Sequence, residues 1–386
     1  MPLPAIAAVL GSLLAGPAFG QAELAANIHG GGSTPLQTAG LGDTVYIAAL
    51  NDAGPGYRIY RFDDVTDQGE PVPGLPPLSG VRALIGLETR VVCAGTPVGG
   101  TDQGIWALDG SSATLLRMAP ENSWGFPALE LNGGILFASD DATYGFELWF
   151  SDGTPEGTDL VLDINAGGDS VPSFGAVVDG VAFFVADDGS HGRELWKTDG
   201  TAGGTELVKD LSSGSGSSSP LFLTAFQDML LFQAFGDLYR SDGTEAGTVL
   251  VSPIADIGTG MLATASWTYF PGYDAATGNE LYRTDGTVVE LVADIVPGPG
   301  SSTPAELTRI GNQFCFVTRS LDDQLWRSDG TTAGTVLVAD LALDPEEFQL
   351  AGLYEHDGAV YFFASEPGDW AESELWRSEG DLASTV

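Results

Sequence analysis

The stretch Glu194–Thr201, ELWKTDGT, recurs in altered form along the chain and decides its fold. Eight aromatic residues, each directly preceded by Leu or Ile, follow one another at intervals of 43 to 50 residues. They are Tyr60, Trp106, Trp149, Trp196, Tyr239, Tyr282, Trp326 and Trp376. Self-similarity at one period indicates a repeat architecture, so we predict one structural unit for each aromatic residue.

An acidic residue lies three positions after each of these aromatic residues, and a glycine follows the acid in all copies but the first. The acids are Asp63, Asp109, Asp152, Asp199, Asp242, Asp285, Asp329 and Glu379. Glycine reaches positive φ without strain, and an Asp side chain can accept hydrogen bonds from the amides of its own turn. The Asp-Gly step is therefore interpreted as a turn after the third strand of each unit, not as a catalytic group.

Each unit divides into four short strands, most clearly in the fourth copy. There the pattern predicts strands at Ser173–Val178, Val181–Asp187, Arg193–Thr198 and Thr205–Leu211. Adjacent Leu and Trp residues point to opposite faces of a strand, so both faces of each sheet must be buried. Four-stranded units of this length are typical of propeller blades. We predict an all-β fold, a single β-propeller of about eight four-stranded blades, with seven possible because the first copy is irregular.

The two ends of the chain carry further predictions. Residues 1–20 contain an apolar run followed by small residues, which indicates a signal peptide. The propeller domain then covers residues 21–386. Residues 23–28, ELAANI, resemble the fourth strands of other units, and the last unit lacks such a strand. We expect this N-terminal strand to complete the last blade and close the ring.

These motifs resemble the ELWxxDGT repeat family of bacterial exported proteins. The resemblance covers nearly all of the chain after residue 20 and is strongest from Glu147 to Asp340. It implies a propeller-like protein that is secreted, periplasmic or on the cell surface. It implies no activity, substrate or catalytic residue.

The net charge of −39 limits the possible partners. Lys197 and Lys209 are the only lysines, so no basic surface is available to neutralise phosphates. We therefore expect no binding to nucleic acid. After residue 20 no apolar stretch is long enough to cross a bilayer, so we expect no membrane insertion. The chain is predicted to be monomeric.

The two cysteines, Cys93 and Cys315, fall in strand interiors of different units and at different repeat positions. A disulfide needs closely placed Cα atoms, so we interpret both as buried free thiols.

Catalytic sets are hard to assemble from this sequence. The three histidines, His29, His191 and His356, form no recognisable triad with a nucleophile. The expectation is that the chain is not an enzyme. The alternative is a hydrolase or lyase with carboxylates at the central channel, since the abundant acids could supply such a pair.

The loops between the second and third strands carry the most suggestive polar pattern, an Asp followed by Gly at the fourth position and Glu two positions later. The acids are Asp141 and Glu147, Asp188 and Glu194, and Asp274 and Glu280. Hard oxygen ligands around a glycine turn could bind calcium. The alternative is that the Asp caps the loop while the Glu starts the strand. Calcium is the one cofactor that the sequence predicts as possible, and no other is indicated.

Rigid repeat scaffolds place function in their loops. We therefore predict a non-catalytic binding or scaffold module for a protein or glycan partner. The candidate surface is the face that carries residues 187–191, 212–219 and 297–302.

Overall fold

A computed structural model describes residues 35–41, 44–50, 54–63, 66–86, 90–120, 124–254, 257–258, 260–320, 324–340, 351–356, 358–365 and 373–385. These ranges form antiparallel strands and two short 3-10 helices, because runs of β-branched, Leu and aromatic residues alternate with Gly, Asp and Ser. No helix in these ranges is long and apolar enough to cross a membrane. The predicted signal peptide at 1–20 and the predicted strand at 23–28 lie outside the described residues.

The chain divides into two compact units, of which the first ends at Ser217. This unit contains four repeats of four consecutive antiparallel strands, and a single pairing of Tyr57 with Leu78 joins the first repeat to the second. The first two repeats are β1 Pro35–Leu41, β2 Thr44–Leu50, β3 Tyr57–Asp63, β4 Thr66–Pro71, β5 Leu78–Gly86, β6 Val91–Pro97, β7 Gln103–Leu108 and β8 Ala113–Ala119. The third and fourth are β9 Trp124–Leu131, β10 Gly134–Asp141, β11 Gly145–Ser151, β12 Thr158–Leu162, β13 Ser173–Val178, β14 Val181–Asp187, β15 Arg193–Thr198 and β16 Glu206–Lys209, with a 3-10 helix at Ala202–Gly204.

The second unit begins at Ser218 and has the same construction. Its first two sheets are β17 Leu221–Phe226, β18 Met229–Ala234, β19 Asp237–Ser241, β20 Val249–Ser252, β21 Leu262–Ala263, β22 Thr268–Asp274, β23 Gly278–Thr284 and β24 Val289–Ala293. The next two are β25 Pro304–Ile310, β26 Gln313–Thr318, β27 Gln324–Ser328, β28 Val336–Asp340, β29 Ala351–His356, β30 Ala359–Ser365 and β31 Ser373–Ser378, followed by a 3-10 helix at Leu382–Ser384. In the described residues the last sheet has three strands.

The fourth repeat confirms the predicted strand pattern. β13, β14 and β15 have the predicted bounds, and β16 is shorter at both ends than predicted. Its neighbours pair in sequence order, so the sheet is a simple antiparallel meander. The all-β class and the four-stranded repeats are thus confirmed. The single closed ring and the single domain over residues 21–386 stay predictions.

The core lies between consecutive sheets within each unit. Leu195 is fully buried and Trp196 is 7% exposed, so both faces of β15 are covered, as predicted. Trp196 and Phe184 of the fourth repeat belong to one apolar cluster with Leu136 and Leu148 of the third. In the second unit the fifth and sixth sheets share a similar cluster, as do the sixth and seventh. Fully burying a side chain such as Leu195 contributes about 1.5–3 kcal/mol.

Candidate functional site at the hairpin end of the sheets

Antiparallel strand order gives every four-stranded sheet two different ends. The DGT turn, which joins the third strand to the fourth, lies at one end. At the opposite end, called the hairpin end below, the second strand turns into the third and a linker leaves for the next sheet.

The DGT turn of the fourth repeat is a closed hydrogen-bond network. The Asp199 carboxylate accepts the Thr201 N–H at 2.9 Å and the Thr201 hydroxyl at 2.7 Å. The Thr201 hydroxyl oxygen accepts the Gly204 N–H at 3.1 Å, and the Thr198 hydroxyl oxygen accepts the Gly200 N–H at 2.9 Å. Turns at Asp152, Asp242 and Asp329 repeat these bonds. The structure confirms the interpretation of Asp-Gly as turn chemistry.

These hydrogen bonds lower the pKa of Asp199 below its ordinary value, with the bond from the Thr201 hydroxyl as the largest cause. The same direction and cause apply to Asp152, Asp242, Asp285 and Asp329. Each carboxylate is therefore held in its charged form by its own turn.

The sequence analysis missed the second half of this turn. A Cβ on Gly204 would collide with the Asp199 carboxylate, so only glycine fits there. Thr205, the next residue, lies with its hydroxyl 2.7 Å from that of Thr198. The signal was present in the sequence as Gly-Thr pairs five and six residues after the Asp. These are Gly157-Thr158, Gly204-Thr205, Gly247-Thr248 and Gly334-Thr335.

At the hairpin end, the Asp of each predicted calcium pair caps its own loop. Asp188 accepts the N–H groups of Ser190 and His191 at 2.9 and 2.8 Å, and its other oxygen lies 2.7 Å from His191 Nδ1. That bond raises the pKa of His191. Asp141 and Asp274 each accept one N–H two residues on. The Asp residues are thus used within the hairpin.

The Glu of each pair has a different role, because it holds the linker to the next sheet. Glu280 is fully buried and accepts the hydroxyl of Ser302 at 2.6 Å and its N–H at 2.9 Å. It also accepts the N–H groups of Ile295 and Val296 at 2.9 and 3.2 Å. We call this arrangement the linker clamp. The linker between two sheets is therefore fixed by a buried side chain of the sheet that it leaves.

Two other glutamates form the same clamp. Glu147 accepts from Ile164, Asn165 and Ser170, including the Ser170 hydroxyl at 2.5 Å. Glu194 accepts the N–H groups of Leu211 and Ser212. Burial raises the pKa of Glu147 and of Glu280, and the hydrogen bonds from the linker act against that rise.

The glycine between the paired acids makes room for the linker. Gly278 has φ +71°, and a Cβ there would collide with the Gly300 carbonyl of the linker. The next N–H, of Asn279, donates to the Ser301 hydroxyl at 2.9 Å. Each residue of this Asp, Gly and Glu pattern therefore has its own role. The Asp caps the loop, the Gly lets the linker approach closely, and the Glu clamps the linker.

The predicted calcium pairs do not converge on a common centre, since Asp faces its loop and Glu faces the linker. Among the described residues, no group of three or more His, Cys, Asp or Glu side chains is placed to hold a metal ion. Calcium binding by these six acids stays a prediction of the sequence.

The hairpin end also exposes large apolar side chains, which the sequence analysis did not single out. Tyr144, Phe235 and Tyr273 lie in hairpins of the third, fifth and sixth sheets and are 41%, 55% and 46% exposed. Phe235 has φ +55° and forms a tight turn with Gly236, although a bulky side chain disfavours that conformation. Burial of the ring in the core does not account for this conformation, since more than half of the Phe235 side chain is exposed.

One hairpin already holds a guanidinium group. Arg117 of β8 donates to the Asp141 carboxylate at 3.1 Å and to the Asp140 carbonyl at 2.9 Å. Its guanidinium carbon lies 3.5 Å from the ring centroid of Trp149. A hairpin carboxylate and an aromatic face thus both contact this arginine, together with the Asp140 carbonyl and the Ser139 hydroxyl.

Both cysteines are buried free thiols, as predicted. Burial raises the pKa of Cys93 and of Cys315 to about 12. The thiols are therefore protonated at neutral pH and chemically inert.

The strand order and the repeated hairpin end define the class of this protein. It is an all-β repeat protein built from four-stranded sheets of the propeller type. No family model and no curated protein matches the sequence. Among solved structures, the chain resembles the computationally designed Ika8 protein, with 15% identity, a TM-score of 0.49, and coverage of 90% of this chain and 96% of that one. It also resembles the β-propeller domain of the Trilobed protease from Pyrococcus furiosus, with 12% identity, a TM-score of 0.44, and coverage of 90% and 96%.

Hydrolases are also among the structures that match. A puromycin hydrolase has 16% sequence identity to this chain and a TM-score of 0.42. The match covers 86% of this chain and 59% of the hydrolase. A prolyl endopeptidase has 12% sequence identity to this chain and a TM-score of 0.48. The match covers 90% of this chain and 47% of the endopeptidase. This chain therefore spans about half the length of these hydrolases.

These matches correct one expectation. The sequence analysis concluded that the chain is not an enzyme, and hydrolases among the matching structures contradict that conclusion. The likeness covers only part of each hydrolase, so it establishes no activity for this chain either.

Proposed function

We propose that this chain is a secreted binding module that holds a protein or glycan partner at the hairpin end of its sheets. The observation that carries the proposal is that Phe235 and Tyr273, on neighbouring sheets of the second unit, are about half exposed at this end, as Tyr144 is in the first unit. Exposed apolar side chains on neighbouring elements mark interaction sites. The caps at Asp141 and Asp274 and the clamps at Glu147 and Glu280 hold the hairpins that carry Tyr144 and Tyr273. A pre-ordered hairpin loses less entropy on binding.

The test compares two variants that each replace three exposed apolar side chains by serine. The hairpin variant carries Tyr144→Ser, Phe235→Ser and Tyr273→Ser. The control carries Leu115→Ser, Leu250→Ser and Leu291→Ser on the fourth strands, where these leucines are 38–47% exposed. Ligands selected by the natural chain from a displayed peptide library and a polysaccharide array should be lost by the hairpin variant and retained by the control. Equal retention by both variants would refute the proposal.

The location outside the cytoplasm rests on residues 1–20, where an apolar run is followed by small residues that a signal peptidase could recognise. Export followed by N-terminal sequencing of the released protein tests it. A mature protein that still begins at Met1 would contradict it.

The closed ring rests on residues 23–28, which would add the fourth strand to β29–β31. The sequence ELAANI resembles ELVADI at 290–295, which overlaps β24, the fourth strand of the sixth sheet. A chain that begins at residue 21 should therefore melt at a higher temperature than one that begins at residue 30. Equal melting temperatures would show that the ring, if formed, closes without this segment. The closed form is proposed to be a monomer.

A further inference from the structure

The hairpin end of the second unit combines exposed apolar side chains on two neighbouring sheets. Leu221 and Phe235 belong to the fifth sheet and are 54% and 55% exposed. Tyr273 belongs to the sixth sheet and is 46% exposed. Leu238, the residue after Asp237, belongs to one apolar cluster with Phe270 and Tyr282 of the sixth sheet, so the two sheets pack side by side.

The same two hairpins carry negative charge and no positive charge. Asp237 directly follows the Phe235-Gly236 turn, and Asp274 directly follows Tyr273. The nearest arginines along the chain, Arg240 and Arg283, are directed to the other end, where they donate to the carbonyls of Gly286 and Gly330 in DGT turns. The net charge of −39 adds a long-range field that attracts cations and repels anions.

We propose that this surface, formed by Leu221, Phe235, Asp237, Tyr273 and Asp274, binds an arginine-rich segment of a partner protein. Each guanidinium group lies against an exposed ring while a hairpin carboxylate accepts its N–H groups. The first unit contains the same chemistry within the chain, since Arg117 is held between Trp149 and Asp141. The inference rests on the proposed function and specifies its partner.

Arginine fits this surface better than other ligands of the same size. Its planar guanidinium group stacks on aromatic faces and donates in a fork to carboxylates, whereas the lysine ammonium is a strongly hydrated point charge. Anionic polymers are repelled by the net charge. A neutral glycan would use the rings but would gain nothing from the charge of the chain.

The experiment measures fluorescence anisotropy of a labelled peptide in which arginine alternates with glycine, with matched lysine and glutamate peptides for comparison. The ring variant carries Phe235→Ser and Tyr273→Ser, and the carboxylate variant carries Asp237→Asn and Asp274→Asn. One control, Leu250→Ser with Leu337→Ser, removes exposed apolar surface from the fourth strands. The other, Asp228→Asn with Glu245→Gln, removes the same charge from exposed positions at the DGT end. Circular dichroism melts confirm that each variant is folded.

We expect the arginine peptide to bind the ring variant about tenfold more weakly, because each exposed cation–π contact contributes about two- to fivefold. The carboxylate variant should lose a similar factor, both controls should stay within about twofold of the natural chain, and the lysine peptide should bind more weakly than the arginine peptide. If the carboxylate variant and its charge control lose the same affinity for the arginine peptide, the binding comes only from the net charge of the chain. That result would overturn the inference. Unchanged binding by the ring variant would also overturn it.

The two proposals fail in different ways. The hairpin variant could lose binding to a glycan or to a non-basic peptide while no protein binds the arginine peptide selectively. That result would support the hairpin end as a binding surface and reject the arginine-rich partner. Ligands that are retained by every hairpin variant would reject both.

Discussion

Two recurring carboxylates in each well-formed repeat accept several hydrogen bonds, but their pKa values shift in opposite directions because only one of them is buried. Asp199 is exposed, and its turn lowers its pKa. Glu280 is fully buried, and burial raises its pKa although four N–H and O–H groups donate to it. The same residue class thus stabilises a surface turn at one end of a sheet and a buried linker at the other.

The linker clamp predicts that the fold loses stability when one carboxylate oxygen of Glu280 is replaced by an amide nitrogen. In Glu280→Gln, the amide group would place N–H donors against the N–H and O–H donors of the linker. We expect the free energy of unfolding to fall by about 1–3 kcal/mol, the cost of leaving buried polar groups without partners. Urea denaturation measures it. Glu245→Gln, an exposed substitution, is the control and should change stability by less than about 0.5 kcal/mol. Equal stability of the two variants would contradict the clamp.

The lowered pKa of Asp199 predicts a pH dependence with a definite sign. A carboxylate whose pKa is lower in the folded state than its ordinary value of 3.8 stabilises the fold above that value. The stabilisation is lost as the pH falls through the folded-state pKa. The natural chain should therefore be more stable than Asp199→Asn at neutral pH, and the difference should disappear in acid. A difference in melting temperature that is constant from neutral pH to below pH 3 would be inconsistent with this role.

At the scale of the element, the DGT turn requires two glycines for different reasons. Gly200 has φ +94°, the left-handed region that glycine adopts without strain. Gly204 has no Cβ because the Asp199 carboxylate occupies that space. The turn therefore depends on residues that are separated along the chain but share one network.

Neighbouring glycines provide a matched test of this turn. Gly204→Ala should lower the free energy of unfolding by about 1–3 kcal/mol, because the added methyl group overpacks the turn. A Cβ on Gly203 meets no atom within 4 Å, so Gly203→Ala should be within about 0.5 kcal/mol of the natural chain. Thermal or urea denaturation separates the two. If Gly203→Ala costs as much as Gly204→Ala, helix or loop propensity and not the network explains the effect.

The strands of the fourth repeat could be predicted because their apolar pattern, Leu195 next to Trp196, requires burial on both faces. The turn role of Asp199 could be predicted because an Asp-Gly step has few other uses. The role of Glu280 could not, since its partners Ile295 and Ser302 lie 15 and 22 residues away and only the folded linker brings them close. The exposure of Phe235 also depends on packing around the hairpin, which no periodicity encodes.

At the scale of the whole molecule, two units repeat one construction, and each uses linker clamps and DGT turns to fix its sheets. The sequence period predicted the number of repeats because each repeat carries its own motif. The candidate binding surface was predicted only as a face of variable loops. The structure adds half-exposed rings at hairpins of the third, fifth and sixth sheets, which are the basis of the proposed function.

The central claim is that partners bind at the hairpin end, and site-specific photocrosslinking tests it most directly. A photoreactive phenylalanine analogue is placed at position 235 or 273, and in separate proteins at position 250 or 337 on the exposed fourth strands. The account predicts that a bound ligand crosslinks to positions 235 and 273 and not to positions 250 and 337. Crosslinks at the fourth strands, with none at the hairpins, would contradict it.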